Sequence, residues 1–126
     1  MDSAYKSFQD LDVWQSARRY KLDIYKLADL LPKEEKFALI SQIIRSARSV
    51  PANIAEGYGR YTYKDQIHFC IQARGSLYET LNHIIDALDS GYIQPELKHD
   101  LELKTKEVER LINGYITWLR KMTEKK

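Results

Sequence analysis

Several features that define large protein classes are scarce in this sequence of 126 residues. Its single cysteine, Cys70, cannot form an intramolecular disulfide and favours a reducing compartment. No run approaches the roughly 18 consecutive apolar residues that a membrane-spanning helix needs. The N-terminus lacks the apolar segment of a secretory signal peptide. We therefore expect a cytoplasmic protein without a membrane-spanning segment.

An excess of charge of one sign is also missing. The chain has 20 lysines and arginines against 18 aspartates and glutamates, a net charge of +2. This excess is too small to indicate a nucleic-acid partner by itself. Cations and anions alternate along the chain, which is typical of solvated helix surfaces with ion pairs four residues apart.

Patterns that support catalysis or metal binding are equally scarce. Glu96-Leu97-Lys98-His99 is a Glu-x-x-His sequence, but a di-iron bundle needs two copies and two further glutamates. His68 and His83 lie roughly 22 Å apart along one predicted helix, too far to share a metal. Gly57 and Gly59 follow a predicted helix rather than a strand, which excludes the dinucleotide-binding motif. We predict no enzyme activity, no cofactor and no metal.

Apolar residues at helical spacing are abundant, and the few prolines and glycines mark breaks between helices. We predict Asp12 as the N-cap of the first helix, and Thr62 with Asp65 as a capping box for the third. Gly75 and Ser76, in the middle of the third helix, predict close packing there. The predicted helices span approximately residues 11–31, 33–57, 63–89 and 95–122. These lengths predict a single all-α domain over residues 1–126, an antiparallel up-down-up-down four-helix bundle.

The second helix carries two distinct sides. Its apolar stripe begins at Phe37 and continues in register through Pro51 to Ile54, which predicts a kink at Pro51 rather than a stop. The opposite side is small and polar. Its residues are Ser46, Ser49, Ala52, Asn53 and Glu56. We interpret this side as a surface for another chain; the alternative is an ordinary exposed face.

The sequence resembles a known family over nearly its whole length. The segments that carry the resemblance include Leu11-Asp12-Val13-Trp14-Gln15, Leu31-Pro32-Lys33-Glu34-Glu35, Pro51-Ala52-Asn53-Ile54-Ala55-Glu56-Gly57 followed by Gly59-Arg60, and Gly91-Tyr92-Ile93. They are similar to the bacterial 23S rRNA intervening-sequence proteins, also called four-helix bundle proteins. The resemblance implies a ring-shaped homopentamer with no enzyme activity. It also implies a relationship to the accessory proteins of diversity-generating retroelements, which look like basic barrels that partner a reverse transcriptase and nucleic acid.

The predicted loop from Tyr58 to Lys64 alternates aromatic and basic residues. Such a segment can stack bases and hold phosphates, or it can anchor a protein interface. The candidate contacts with nucleic acid or a partner are Arg18, Arg19, Arg45, Arg48, Arg60, Tyr61, Tyr63 and Lys64. The candidate oligomer-interface or structural residues are Ser49, Pro51, Asn53, Glu56, Tyr58, Arg74 and Glu79.

Arg74 lies near the apolar arc of the third helix. Because a buried unpaired charge is costly, we predict an ion pair with Glu56 or Glu79. The alternative is that the arginine extends its guanidinium to water along its apolar stem.

The sequence favours a non-enzymatic, oligomeric scaffold, a pentamer by the resemblance, that binds RNA or a ribonucleoprotein. Five copies would carry a net charge of +10, five times the +2 of one chain. The alternative is a protein-only adaptor ring that recruits a partner enzyme such as a polymerase or a reverse transcriptase.

Overall fold

A computed structural model describes residues 7–125 of the chain. Its four α-helices are α1 (Asp12–Ala28), α2 (Leu39–Tyr58), α3 (Tyr63–Asp89) and α4 (Pro95–Glu124). Short 3₁₀ turns occupy Phe8–Asp10 and Lys33–Glu35. No strand occurs within the described residues. The predicted all-α class with four helices is confirmed.

The two predicted N-caps have different outcomes. The Thr62 hydroxyl accepts a hydrogen bond from the Asp65 backbone N–H at 3.1 Å, so the predicted cap of α3 is confirmed. The predicted cap by Asp12 is wrong, because Leu11 occupies the N-cap position and makes no side-chain cap. Leu11 is extended there and buried in the core, which moves Asp12 into the first turn. In the first turn, the Asp12 carboxylate interacts favourably with the positive end of the helix dipole.

The break between α1 and α2 is longer than predicted, since α1 ends at Ala28 and α2 begins at Leu39. Pro32 is extended, with φ −67° and ψ 150°, and Ala38 has the non-helical angles φ −123° and ψ −103°. The α-helical register therefore starts only after Ala38. Phe37, which we predicted on the core stripe, is 88% exposed. This correction follows from the irregular backbone that precedes α2.

Glu35 fixes this irregular segment against the rest of the molecule. Its carboxylate accepts the Leu39 backbone N–H at 3.2 Å, at the start of α2. It also accepts the Tyr92 hydroxyl at 2.7 Å, just beyond α3. The start of α2 therefore lies beside the end of α3.

The hydrophobic core draws residues from all four helices. Each helix contacts its sequence neighbour, and α1 also contacts α4. Between α1 and α4 the Tyr20 and Thr105 hydroxyls lie 2.8 Å apart in the core. The largest fully buried side chains include Tyr20, Ile24, Ile43, Ile54, Leu77, Ile84, Ile112 and Leu119. Pro51 is buried inside a continuous α2, and the kink there stays a prediction.

The small-residue side of α2 packs in part on α3 of the same chain. Ser46 is fully buried and accepts a hydrogen bond from the Thr80 hydroxyl at 2.8 Å. The Ser49 and Ser76 hydroxyls also lie 2.8 Å apart. Our interpretation of this side as a surface for another chain is therefore wrong for both serines. Their small side chains instead let α3 of the same chain approach closely. The amide of Asn53 donates to the Ser49 carbonyl at 2.9 Å, within α2.

Gly57 marks a second close approach of α3 to α2. A Cβ atom at this buried glycine would lie 2.8 Å from the Phe69 Cβ and 3.3 Å from the Gln66 carbonyl oxygen. We predicted close packing at Gly75 and Ser76. This is wrong for Gly75, where a Cβ would have no neighbour within 4 Å, but Ser76 does meet Ser49 on α2. The glycine that permits close packing is Gly57, at the end of α2.

We predict that Gly57→Ala destabilises the protein by about 1–3 kcal/mol, since overpacking displaces backbone or side chains. Urea unfolding followed by circular dichroism measures this change. Gly114→Ala is the matched control, because a Cβ there meets nothing within 4 Å. The control should gain up to about 1 kcal/mol from helix propensity. Equal stability of the two variants would contradict the close α2–α3 contact.

A second prediction concerns pH. Hydrogen bonds from Tyr92 and from the Leu39 backbone hold the pKa of Glu35 below its ordinary value of 4.5. A carboxyl group with a lowered pKa stabilises the fold above its unfolded pKa, and that stabilisation is lost as pH falls through the folded pKa. Wild type should therefore exceed Glu35→Gln in unfolding temperature at pH 7, and the difference should shrink below pH 4.5.

Glu34→Gln is the control for this pH experiment, because it removes the same charge from an exposed neighbour. Thermal unfolding of the three proteins between pH 3 and 7 makes the comparison. A difference between wild type and Glu35→Gln that stays constant across this range would show that the Glu35 charge does not support the fold.

Candidate nucleic-acid interface

One groove of about 610 Å³ is rich in aromatic side chains. It is lined by the start of α1, the end of α2, the start of α3 and the second half of α4. We call it the aromatic groove. Its lining residues are Leu11, Asp12, Val13, Tyr58, Tyr63, Gln66, Arg110, Leu111, Gly114, Tyr115 and Trp118.

Three rings form a connected cluster in the aromatic groove. Tyr115 and Trp118 are stacked, with centroids 5.9 Å apart and an interplanar angle of 9°. Their three-residue spacing on α4 places them on the same face of the helix. Tyr63 meets Trp118 edge to face at 6.3 Å, and its position is fixed by the Thr62 cap of α3. Trp118 is 45% exposed, so part of its ring surface faces solvent.

Hydrogen bonds hold several polar side chains of the aromatic groove in place. The Tyr115 hydroxyl donates to the Gln66 side-chain oxygen at 3.2 Å. Arg110 donates to both carboxylate oxygens of Glu107, at 3.1 and 2.7 Å. This pair lowers the pKa of Glu107 and raises that of Arg110. The groove thus combines fixed aromatic faces with a cation on its lining.

The α2–α3 connection adds exposed aromatic and basic side chains. Tyr61 is 100% exposed. Arg60 donates to Glu56 at 2.8 Å, and its guanidinium lies 4.7 Å from the Phe69 ring centroid, which holds it in place. Lys64 is exposed in the first turn of α3, next to Tyr63 of the groove. Aromatic faces beside cations can stack bases and contact phosphates.

The remaining predicted contact residues lie in other grooves. Arg18 and Arg19 line a groove with Trp14, and the Arg18 guanidinium lies 6.0 Å from the Trp14 ring centroid. Arg45 and Arg48 line another groove, on α2. Of the candidates that the sequence identified, the aromatic groove brings together Tyr58 and Tyr63.

Arg74 does not form the predicted ion pair with Glu56 or Glu79. Its guanidinium donates to the Asn113 side-chain oxygen at 2.7 Å, across the α3–α4 contact. Glu79 pairs with Arg45 instead, and it also lies 3.2 Å from His83. Arg74 is partly exposed, so solvent screens its charge and a neutral amide satisfies it.

The sequence analysis did not identify Gln66, Arg110, Tyr115 or Trp118 as candidate contacts. The signal for the stacked pair was present, because Tyr115 and Trp118 are three residues apart on a predicted helix. Their approach to Tyr63 depends on how α3 and α4 pack, which periodicity along one helix does not describe.

The residues from 7 to 125 do not indicate a metal site or a reactive thiol. No cluster of three or more His, Cys, Asp or Glu side chains there has the arrangement of a metal site. Burial raises the pKa of the Cys70 thiol to about 12. None of the helices described is both long and apolar enough to cross a membrane.

Comparison with known proteins finds a family model and a solved structure that are similar to this chain. The sequence model of the 23S rRNA-intervening sequence proteins matches residues 9–114. The chain is also similar to the crystal structure of a protein of unknown function from the S23 ribosomal protein family of Bacteroides thetaiotaomicron. The identity is 25% and the TM-score 0.77, over 83% of this chain and 95% of that chain. No curated protein matches the chain.

Proposed function

The chain belongs to the 23S rRNA-intervening sequence protein family, and from this premise we propose that it is a non-enzymatic, homopentameric scaffold that binds single-stranded RNA at the aromatic groove. The observation that carries the proposal is the stacked Tyr115–Trp118 pair, in which Trp118 is 45% exposed. The fully exposed Tyr61 lies two residues before Tyr63, which contacts Trp118.

Stacking explains why the RNA should be single-stranded. Bases inside an A-form duplex are covered by their neighbours, whereas unpaired bases can stack on aromatic side chains. Each such contact is worth about 1–3 kcal/mol and tolerates different sequences. The half-exposed Trp118 ring and the free-standing Tyr61 ring offer two stacking surfaces.

Electrostatics favours RNA binding by an assembly over RNA binding by a single chain. One chain carries a net charge of only +2, and five copies carry +10, five times that value. Phosphate contacts by Lys64 and Arg60 would add a salt-dependent part to the affinity. Repetition around a ring turns a small charge excess into a field that attracts an anionic polymer.

The bundle arrangement that we propose is antiparallel and up-down-up-down over residues 1–126, with a kink in α2 at Pro51. Supporting this arrangement, the aromatic groove is lined jointly by the start of α1, the end of α2, the start of α3 and the second half of α4. The short connections between helices favour the same topology.

The predicted compartment remains the cytoplasm, in line with a buried free thiol at Cys70.

Fluorescence anisotropy with a labelled 12-nucleotide single-stranded RNA tests the proposal. Trp118→Ala in the aromatic groove and Tyr61→Ala in the α2–α3 connection should each weaken binding about fivefold or more, since one stacked base is worth at least about 1 kcal/mol. Tyr61→Phe keeps the ring and should bind like wild type. Lys64→Gln should reduce the slope of log affinity against log salt by about 0.7. Lys26→Gln should not, because this exposed lysine lies in the last turn of α1, at the far end of the bundle from the groove.

Three results would contradict the RNA proposal. They are no RNA binding by wild type at low salt, wild-type affinity in Trp118→Ala, and equal affinity for the same RNA as a duplex. Absence of RNA binding by an oligomeric wild type would leave the protein-only adaptor ring as the function to pursue.

A further inference from the structure

Two partly apolar surfaces with opposite charge are exposed on the bundle. The first, which we call the α2 face, combines Phe37 with half-buried isoleucines and cations, and its grooves reach the end of α1. Its residues are Lys33, Lys36, Phe37, Ile40, Ile44 and Arg48. The second, which we call the α3 face, combines partly exposed apolar side chains with aspartates. Its residues are Ile71, Tyr78, Asn82, Ile85, Asp86 and Asp89.

The charges of these faces are not neutralised within the described chain. Within residues 7–125, no ion pair involves Lys33, Lys36 or Arg48 on the α2 face. The same is true of Asp86 and Asp89 on the α3 face. Charges of opposite sign also occur nearby, since Asp29 lines one α2-face groove and Glu34 follows Lys33.

The two faces lie on opposite sides of the bundle. The α2 face continues onto α1 through Tyr25 and Ala28. The α3 face adjoins α4, since the Tyr78 hydroxyl donates to Glu109 there. Because α1 contacts α2 and α4, and α3 contacts α2 and α4, the α1–α2 side lies opposite the α3–α4 side.

The two faces also lie at the same height along the bundle. Ser46 is bonded to Thr80, and Arg45 pairs with Glu79, which aligns the middle of α2 with the middle of α3. The Glu35–Tyr92 bond aligns the start of α2 with the end of α3. Lys33, Lys36 and Phe37 are therefore level with the Asp86–Asp89 turn of α3.

Opposite charge, opposite sides and equal height of the two faces together favour one kind of contact between copies. In a ring whose axis is parallel to the helices, each copy meets the next at the same height. A head-to-tail contact then brings the cations of one copy to the aspartates of the next. A two-fold contact through the α2 face would instead bring like charges together. Head-to-tail contacts generate a ring when the rotation from one copy to the next closes.

We propose that the α2 face of one copy packs on the α3 face of the next copy. In this contact Phe37 and Ile40 cover Ile85, with Lys33 and Lys36 facing Asp86 and Asp89. One to three turns away, Ile44 and Arg48 are level with Asn82 and Tyr78, in the register that the Ser46–Thr80 bond sets. This inference rests on the proposed homo-oligomer and specifies which surfaces form it. It also accounts for the exposure of Phe37, which is 88% in the single chain.

Charge reversal tests the contact, with the mass of the full chain measured by light scattering after gel filtration. The double variant Lys33→Glu/Lys36→Glu should lower the mass to that of one chain. So should Asp86→Lys/Asp89→Lys. All four changes in one chain should restore the wild-type mass, because the charges are exchanged rather than lost.

The control is Lys106→Glu/Lys121→Glu, which makes the same change in charge on exposed positions of α4 outside both faces. It should keep the wild-type mass. Circular dichroism and the urea midpoint confirm that each variant is folded, and Phe37→Ala offers an uncharged variant that should also weaken assembly.

Each other outcome is informative. An oligomeric wild type whose double variants keep their mass would overturn this contact and leave the proposed scaffold intact. Failure of the fourfold variant to reassociate would overturn the pairing of these charges. A monomeric wild type would overturn both this contact and the homo-oligomer, while RNA binding would still be decided by the anisotropy experiment.

Discussion

The packing of α2 on α3 through small side chains is the constraint on which the other features depend. Ser46, Ser49 and Gly57 let α3 approach along most of α2, and Phe69 fills the space that Gly57 leaves. Hydroxyl pairs at two levels fix the relative height of the helices. Because these polar groups are bonded to each other, their burial does not leave unsatisfied donors.

This contact determines which side chains are exposed at the two ends of the α2–α3 pair. At one end the chain turns through residues 59–62, so Tyr61 projects into solvent while Tyr63 packs against Trp118. At the other end Glu35 joins the start of α2 to Tyr92. The irregular segment before α2 is thereby held, and Phe37 stays outside the core. The aromatic groove lies at the first of these ends, and Phe37 of the α2 face lies at the second.

Periodicity predicted the number of helices and most of their core residues, since apolar side chains at three- and four-residue steps need a common neighbour. It also predicted the Thr62 cap, which is a local hydrogen bond. It failed for Ser46, because a serine reads as exposed until a partner such as Thr80 satisfies it. It failed for Phe37 because Ala38 leaves the helical register, a local backbone choice that apolar spacing does not encode.

The aromatic groove was predictable only in part. Tyr58 and Tyr63 belong to a sequence segment that alternates aromatic and basic residues, and this pattern is visible without a structure. Trp118 joins them from α4, some 55 residues along the chain from Tyr63. Such a contact depends on the packing of two helices rather than on a motif. The same holds for the bond of Arg74 to Asn113, where the sequence indicated a carboxylate partner.

The central claim is that five copies assemble with one RNA-binding groove each. Native mass spectrometry of the wild-type protein with a short single-stranded RNA tests it most directly. The account predicts a protein mass of about 74 kDa, five times the 14.8 kDa of one chain, with up to five RNA molecules bound. A single chain of 14.8 kDa, or a pentamer that takes up no RNA at low salt, would contradict it.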